Sequence, residues 1–490
     1  MTSAIDESRS AGTVEADGDE LGTAGSDGRG TGAGAGGFGS LLLGGAALVV
    51  VGAVLPLVIA HHYDALRIPR SDDWSYLRAL IHWRHSGHLD FNHWVSMTLI
   101  AQLILARPIV AIWSDSITAT RVLTATLGVV GLGAIVAMAP AAGVSRRRGL
   151  LVAVTLAACP LWGPLASTFM TEVPAFCFEM LCLWCALAGW SRRREGSAGM
   201  ATGYLVGTAV FGFIAIAIRQ YAAITVAGVL LAAIVAAWAG RDRRALRDAL
   251  VVTGASLVAT LALLVWWAHV PNLRALSPRA PSELSYKDVI RTAGGFMRLA
   301  GLMMLPPIVL AGPVRIVRRA WAAGRVLTVT IAGLAVLVLV VSDQTYFAPA
   351  RVSTFVGNYF DPRGVLADDI NYGTRPRIMA KSLFSVLTLI GSVAGLLVVV
   401  AIVPFLVTWW SRWRGRERGP GSLRTFLGPA VHDAPRLALG LNVVGFAVGY
   451  EIAVLFKFPI WDRYALPALP VVGLLILSSN ATSRRASFDF

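Results

Sequence analysis

LLLGGAALVVVGAVLPLVIA, residues Leu41 to Ala60, carries no charged or amide side chain in twenty consecutive positions. At about 1.5 Å of helical rise per residue, such a run reaches across the roughly 30 Å hydrocarbon core of a bilayer. It is longer than the apolar core of a secretory leader, no basic segment precedes it and no convincing cleavage site follows, so it reads as an uncleaved first span. Comparable runs recur near 120–141, 149–165, 172–190, 200–218, 221–239, 249–268, 297–313, 326–342, 382–409, 437–456 and 465–479. The sequence therefore predicts an all-α polytopic membrane protein of about 12 transmembrane helices (11–13), without an internal repeat.

Composition agrees. The chain is 56% hydrophobic and 14% charged over 490 residues, far less charged than a soluble domain. Its formal net charge of +15 does not point to nucleic acid, because the arginines gather in short loops between apolar runs rather than along one surface. Those loops, Arg146-Arg147-Arg148, Arg192-Arg193-Arg194, 241–248, 315–325, 412–436 and Arg484-Arg485, belong on the cytoplasmic side. The alternate connections 61–119, 269–296 and 343–381 then lie outside, and both termini inside. Residues 1–38, rich in Gly, Ser, Ala and acids, are expected to be a disordered cytoplasmic tail. Residues 39–480 form the transmembrane domain and 481–490 a short cytoplasmic tail. The abundance of Ala, Gly and Arg, with only Lys287, Lys381 and Lys457 as lysine, reflects a GC-rich genome and a prokaryotic plasma membrane. Cys159, Cys177, Cys182 and Cys185 fall inside apolar runs and read as small core residues.

The first span leads into Ile68-Pro69-Arg70-Ser71-Asp72-Asp73-Trp74-Ser75-Tyr76 and then a helical stretch that Ser71 is placed to cap. Adjacent carboxylates repel unless a cation or metal separates them, and the pKa raised by that repulsion suits a base for a substrate hydroxyl. The plain alternative is a capping pair on a solvated loop. Trp94 to Trp113, interrupted by Gln102, Arg107 and Pro108, reads as an interfacial helix. Six of the eight histidines lie between His61 and His93. His82, His85 and His88 at three-residue steps allow a zinc site, but Gly87 breaks the helix among them, and a polar interfacial face is the better reading.

Four features in chain order resemble the GT-C superfamily of membrane glycosyltransferases, which includes the protein mannosyltransferases and the aminoarabinose transferases. The first is the acidic pair Asp72-Asp73 with Tyr76, just after the first span. The second is Trp113-Ser114-Asp115-Ser116 leading to Arg121, similar to the family's juxtamembrane helix and following arginine. Then come Ser167-Thr168-Phe169-Met170-Thr171-Glu172-Val173-Pro174-Ala175-Phe176, similar to its second acidic site, and Trp461-Asp462-Arg463-Tyr464-Ala465-Leu466-Pro467, similar to an Arg-Tyr-x-Leu-Pro signature. The resemblance covers roughly 40 to 480, the middle in topology alone, and lacks the large soluble C-terminal domain of several relatives.

The resemblance implies attack by an acceptor hydroxyl on the anomeric carbon of a polyprenyl-phosphate sugar, with inversion, at the outer face. Asp72 or Asp73 would take the proton, Asp72 being preferred because the first member of the pair has that role in similar enzymes. Arg463, and second Arg219, would hold the donor phosphate, where charge builds as the bond breaks; Arg219 could equally be an arginine snorkelling to headgroups, whereas at Arg463 the adjacent Asp462 and Tyr464 and the motif favour function over that alternative. Tyr76, Tyr464 and Asp462 would contact substrate. Glu172 would orient the acceptor, hold a metal or simply open a helix. The sequence names no cofactor with certainty, and a divalent metal is allowed. The acceptor would be a glycan, lipid or protein. Glu179, seven residues past Glu172 on nearly the same face, is an intramembrane carboxylate without an assigned role. Trp266, Trp267 and His269 read as an aromatic belt. The main rival is a transporter or flippase for a lipid-linked or small polar substrate, which would be expected to show repeats and broken helices.

Overall fold

The computed structural model describes residues 35–69, 72–271, 273, 286–344, 360–361, 364–365, 380–407, 434–455 and 462–478. Most of the tail 1–38, most of the loop 343–381, Ser71, Trp461, the basic stretch 412–433 and the tail 481–490 lie outside them. The chain divides into Met1–Leu43, of which only the first turns of one helix are described, and Gly44–Phe490, which holds every other described element.

In chain order the helices are α1 (Ala35–Val49), α2 (Leu55–His62), α3 (Asp73–Ser86), α4 (Ile100–Ile112), α5 (Ile117–Met138), α6 (Arg146–Ala157), α7 (Trp162–Ala166), α8 (Glu172–Arg194) and α9 (Ala198–Ile218). They continue as α10 (Ala223–Ala239), α11 (Arg243–Ala268), α12 (Tyr286–Met303), α13 (Leu305–Ala311), α14 (Pro313–Ala323), α15 (Arg325–Gln344), α16 (Lys381–Val400), α17 (Ala434–Leu455) and α18 (Ala468–Ser478). Residues Phe360–Asp361 and Gly364–Val365 pair as a two-residue antiparallel ribbon.

Among the described residues nine helices are long and apolar enough to cross a membrane, or ten with α12 and α13 taken as one span bent by 70°. The first, Leu42–His62, runs through a π-helical turn at Val50–Val54. The count differs from the twelve expected because three apolar runs are not single long helices. The run 149–165 breaks after Ala157 at the turn holding Pro160, whose missing N–H and ring prevent helical continuation. The run 297–313 bends at Met304, and 465–479 is a 3₁₀ turn followed by the eleven-residue α18. The basic segment 315–325, expected as a loop, is largely α14. Pro313 opens that helix, Ile316 and Ala320 face inward, and Val314, Val317 and Trp321 are exposed among arginines, the composition of a helix lying at a membrane surface.

Local sequence sets the helix starts. Ser116, Ser145 and Asp242 accept from the backbone N–H groups of Ala119, Arg148 and Ala245, and so begin α5, α6 and α11. Between helices, two glycines permit contacts that a side chain would prevent. A Cβ at Gly131 of α5 would lie 2.9 Å from the Cys177 Cα of α8, and one at Gly301 of α12 would lie 2.2 Å from the Gly395 nitrogen of α16. Trp162, fully buried, donates its ring N–H to the Gly52 carbonyl at 2.8 Å and meets Phe176 edge-on. The four cysteines are buried and unbridged, as expected of core residues.

The ends of the helices sort by composition. At one, Arg193 pairs with Asp242 at 2.7 Å and Arg436 donates to the Ser478 carbonyl at 3.1 Å. At the other converge the start of α3, the start of α8, the α9–α10 turn and the 3₁₀ turn Asp462–Ala465. The segment before α4 braces this end: the Thr98 hydroxyl donates to the Ile216 carbonyl at 2.6 Å and Leu99 N–H to the Ile218 carbonyl at 3.0 Å. Trp267, one of the expected belt residues, is instead buried against Phe91, whereas Trp266 is exposed.

Candidate functional site

Asp72 and Asp73 open α3 but face different partners. Asp73 is fully buried and paired with Arg121 at 3.0 Å. Its carboxylate also accepts from the Phe169 N–H at 3.4 Å, and Arg121 donates to the carbonyls of Ala65 and Ile68. One ion pair thus holds together the connector after α2, the start of α3, α5 and the connector into α8. A buried pair satisfied on both sides is costly to break, because removal of either partner leaves a charge in a low-dielectric interior.

Asp72 points to a second group. Its Oδ2 lies 3.5 Å from Arg463 Nη2, and its side chain is 39% exposed. Arg463 Nε lies 2.8 Å from Glu172 Oε1, and Arg219 Nη1 lies 2.7 Å from the same oxygen. Glu172, the first residue of α8, is fully buried. The Thr171 hydroxyl beside it accepts from Arg219 at 2.5 Å. Two carboxylates and two guanidiniums thus alternate, Asp72, Arg463, Glu172, Arg219, with balanced formal charge. Two arginines share the buried carboxylate, and only the Asp72 end reaches the surface.

Aromatic rings flank the arginines. The Arg219 guanidinium sits 4.4 Å from the Tyr464 ring centroid and 5.0 Å from that of Tyr221, and Arg463 is 5.7 Å from Tyr464. Guanidinium over an aromatic face is attractive and fixes the orientation of a planar group that can bind phosphate oxygens through two parallel N–H bonds. Tyr76 is fully buried beneath this group and donates to Met97 Sδ at 2.7 Å. Burial first, and then the charge of Asp72, hold its phenol well above the ordinary tyrosine value, so it remains a neutral donor.

Of the residues expected at the site, Asp72, Glu172, Arg219, Arg463 and Tyr464 come together. Asp73 is turned to Arg121, Tyr76 supports from beneath, and Asp462 is buried in the 3₁₀ turn that presents Arg463. Arg121 was legible as part of a motif but not as the partner of Asp73. The signal was available in part, since an arginine one turn inside an apolar run seeks an acid or backbone carbonyls, and Arg121 has both. Thr171 and Tyr221 gave no such signal. The histidine series does not gather: among the described residues no three His, Cys, Asp or Glu side chains form a metal-binding group, and His85 faces Asp115 at 2.7 Å.

No family model and no curated protein matches the chain. Among solved structures the chain is similar to ArnT from Cupriavidus metallidurans bound to undecaprenyl phosphate, at 16% identity over 92% of this chain and 79% of that one, with a TM-score of 0.40. The apo state of the same protein gives 17% identity, the same coverage and a TM-score of 0.41. The archaeal oligosaccharyltransferase AglB from Archaeoglobus fulgidus, in complex with an inhibitory peptide and a dolichol-phosphate, is 13% identical over 91% of this chain and 56% of its own, with a TM-score of 0.38. Likeness at this level is one of outline, and the chemistry of the site rests on the residues of this chain.

Proposed function

We propose that the chain is an inverting membrane glycosyltransferase of the GT-C type that moves a sugar from a polyprenyl-phosphate donor to an acceptor hydroxyl. The observation that carries this reading is the contrast within the charged group. Glu172 is sealed between two arginines, whereas Asp72 is open to solvent and joined to Arg463 by a longer contact. In this reading the donor phosphate engages Arg463, with Arg219 behind it, and loosens the hold of Arg463 on Asp72. The freed carboxylate takes the acceptor proton as the acceptor oxygen bonds to the anomeric carbon, the bond from that carbon to the phosphate oxygen breaks, and the polyprenyl phosphate leaves with the electron pair. Asp73 serves as a positioning residue through Arg121, and Glu172 as the anchor of both guanidiniums. Tyr464 would stack on a sugar face or keep the arginines in register.

The sorted ends support an orientation with both termini cytoplasmic and the site on the outer face of a prokaryotic plasma membrane. The transporter reading draws on the 70° break between α12 and α13. That break lies at Met304, which is fully buried against apolar neighbours, whereas a transport site would place polar groups at such a break.

Membranes holding matched amounts of wild type or variants, supplied with a panel of labelled polyprenyl-phosphate sugars, test the proposal. Transfer by wild type should fall about 10²- to 10⁴-fold in Asp72→Asn, the range for loss of a positioned base. Arg463→Ala should lose activity as well, with a raised KM for the donor. Wild-type membranes that transfer from no donor, while purified protein in vesicles carries a lipid-linked or polar solute, would replace the enzyme with the transporter.

A further inference from the structure

About 10 Å below Glu172, two helical turns along α8, lies a second polar group that the proposed chemistry does not use. The Thr225 hydroxyl of α10 donates to Glu179 Oε2 at 2.5 Å, and the Asn442 amide of α17 donates to the Thr225 oxygen at 3.0 Å. All three side chains are fully buried. Ionisable and amide groups at this depth are costly, and neighbouring apolar residues would pack α8, α10 and α17 more cheaply.

The three helices joined by this group also present the site. Glu172 opens α8, Arg219 and Tyr221 immediately precede α10, and Arg463 follows α17 in the chain. Two contact routes run upward from it. Thr225 is one turn from Tyr221, over which Arg219 lies at 5.0 Å. Asn442 is one turn from Phe446, whose ring meets Tyr221 at 6.2 Å, and Tyr221 in turn meets Tyr464 at 5.7 Å. The helices are also in close contact: a Cβ at Gly445 or Gly449 of α17 would lie 2.9 or 2.5 Å from Ile224 of α10. A small rotation of α10 against α8 therefore moves Arg219 relative to Glu172.

From this arrangement we infer that Glu179, Thr225 and Asn442 form a positioning lock that sets the two guanidiniums against Glu172 and thereby tunes affinity for the donor phosphate. The donor half of this statement rests on the reading of Arg219 and Arg463 given above; the geometric half does not. Glu179 touches no reacting atom and is a positioning residue.

The test uses the full chain in lipid nanodiscs. Glu179→Leu and Thr225→Val should each raise the KM for the polyprenyl-phosphate sugar about tenfold, equivalent to roughly 1.4 kcal/mol, with a smaller change in kcat. Glu179→Gln, which keeps an acceptor for the Thr225 hydroxyl, should remain near wild type, and the double variant Glu179→Leu with Thr225→Val should be no worse than Glu179→Leu alone. A thermal-melt cycle of Glu179→Leu with Arg219→Gln needs no substrate and should give non-additive shifts in Tm, because the two groups act on one arrangement. Additive shifts overturn the lock whether or not the protein transfers sugar. An unchanged donor KM in a folded Glu179→Leu overturns its role in donor binding. Non-additive melts with no transfer by wild type retain the lock and reject only the enzyme.

Discussion

Asp72 and Asp73 are adjacent in sequence and lie in different electrostatic surroundings. In the sequence the preference for Asp72 came from the resemblance alone, because nothing in Asp-Asp states which member the start of a helix turns inward. In the structure Asp73 enters the interior to meet Arg121, and Asp72 stays at the rim beside Arg463. The two aspartates should therefore fail differently. Asp73→Asn removes the carboxylate paired with the buried Arg121 at 3.0 Å and should cost about 3–5 kcal/mol of stability, read as a large drop in Tm. Replacing both partners, Asp73→Leu with Arg121→Met, should restore much of the loss, because apolar groups of similar size need no compensating charge. Asp72→Asn should leave Tm almost unchanged, since a half-exposed ion pair contributes little. If Asp73→Asn melts like wild type, Asp73 is not the structural member of the pair. The site cations were legible for a related reason: an arginine next to an apolar run is conspicuous, whereas Thr171, Thr225 and Asn442 are common residues whose importance comes only from what lies opposite.

At the scale of elements, periodicity located most spans, and chain breaks decided the rest. Pro160 and the bend at Met304 interrupt apolar runs whose hydropathy alone reads as continuous. The turn Trp113-Ser114-Asp115-Ser116 was legible as a boundary, and Ser116 does cap α5, but its role in holding α3 was not. Ser114 and Asp115 both have φ near the left-handed region, at 47° and 62°, an arrangement that aims the Asp115 carboxylate at Arg84 and His85 of α3. Despite partial burial, which raises it, hydrogen bonds from Arg84 and His85 bring the Asp115 carboxyl below its ordinary value of 3.8. A carboxyl depressed on folding stabilises above its unfolded value, and that contribution disappears as pH falls through the lower folded value. The Tm difference between wild type and Asp115→Asn should accordingly be full near pH 6 and should shrink below about pH 3.8. A constant difference across that range would remove the carboxylate from the link between α3 and α5.

For the whole molecule, the sequence disclosed a polytopic bundle with basic loops sorted from acidic and aromatic ones, because insertion depends on just those composition differences. It could not disclose how residues at 72, 172, 219 and 463 meet, which depends on packing between helices far apart in the chain. Sidedness can be measured directly, since the native cysteines are all buried. Cysteine placed at exposed His88 should react with an impermeant maleimide added to intact cells, and cysteine at exposed Glu195 should react only after the membrane is opened. The opposite pattern would invert the orientation and place the charged cluster in the cytoplasm. The cluster also imposes an order on biogenesis. Its members are translated as Asp72, Glu172, Arg219 and then Arg463, so Glu172 waits with one guanidinium while the later helices are threaded into the membrane. A nascent chain stalled before Arg463 would already hold the described helices α1 to α17 yet leave Asp72 without Arg463. Completion of the site thus waits on Arg463, the last of the four to be translated, and no chain that stops short of it carries a finished site.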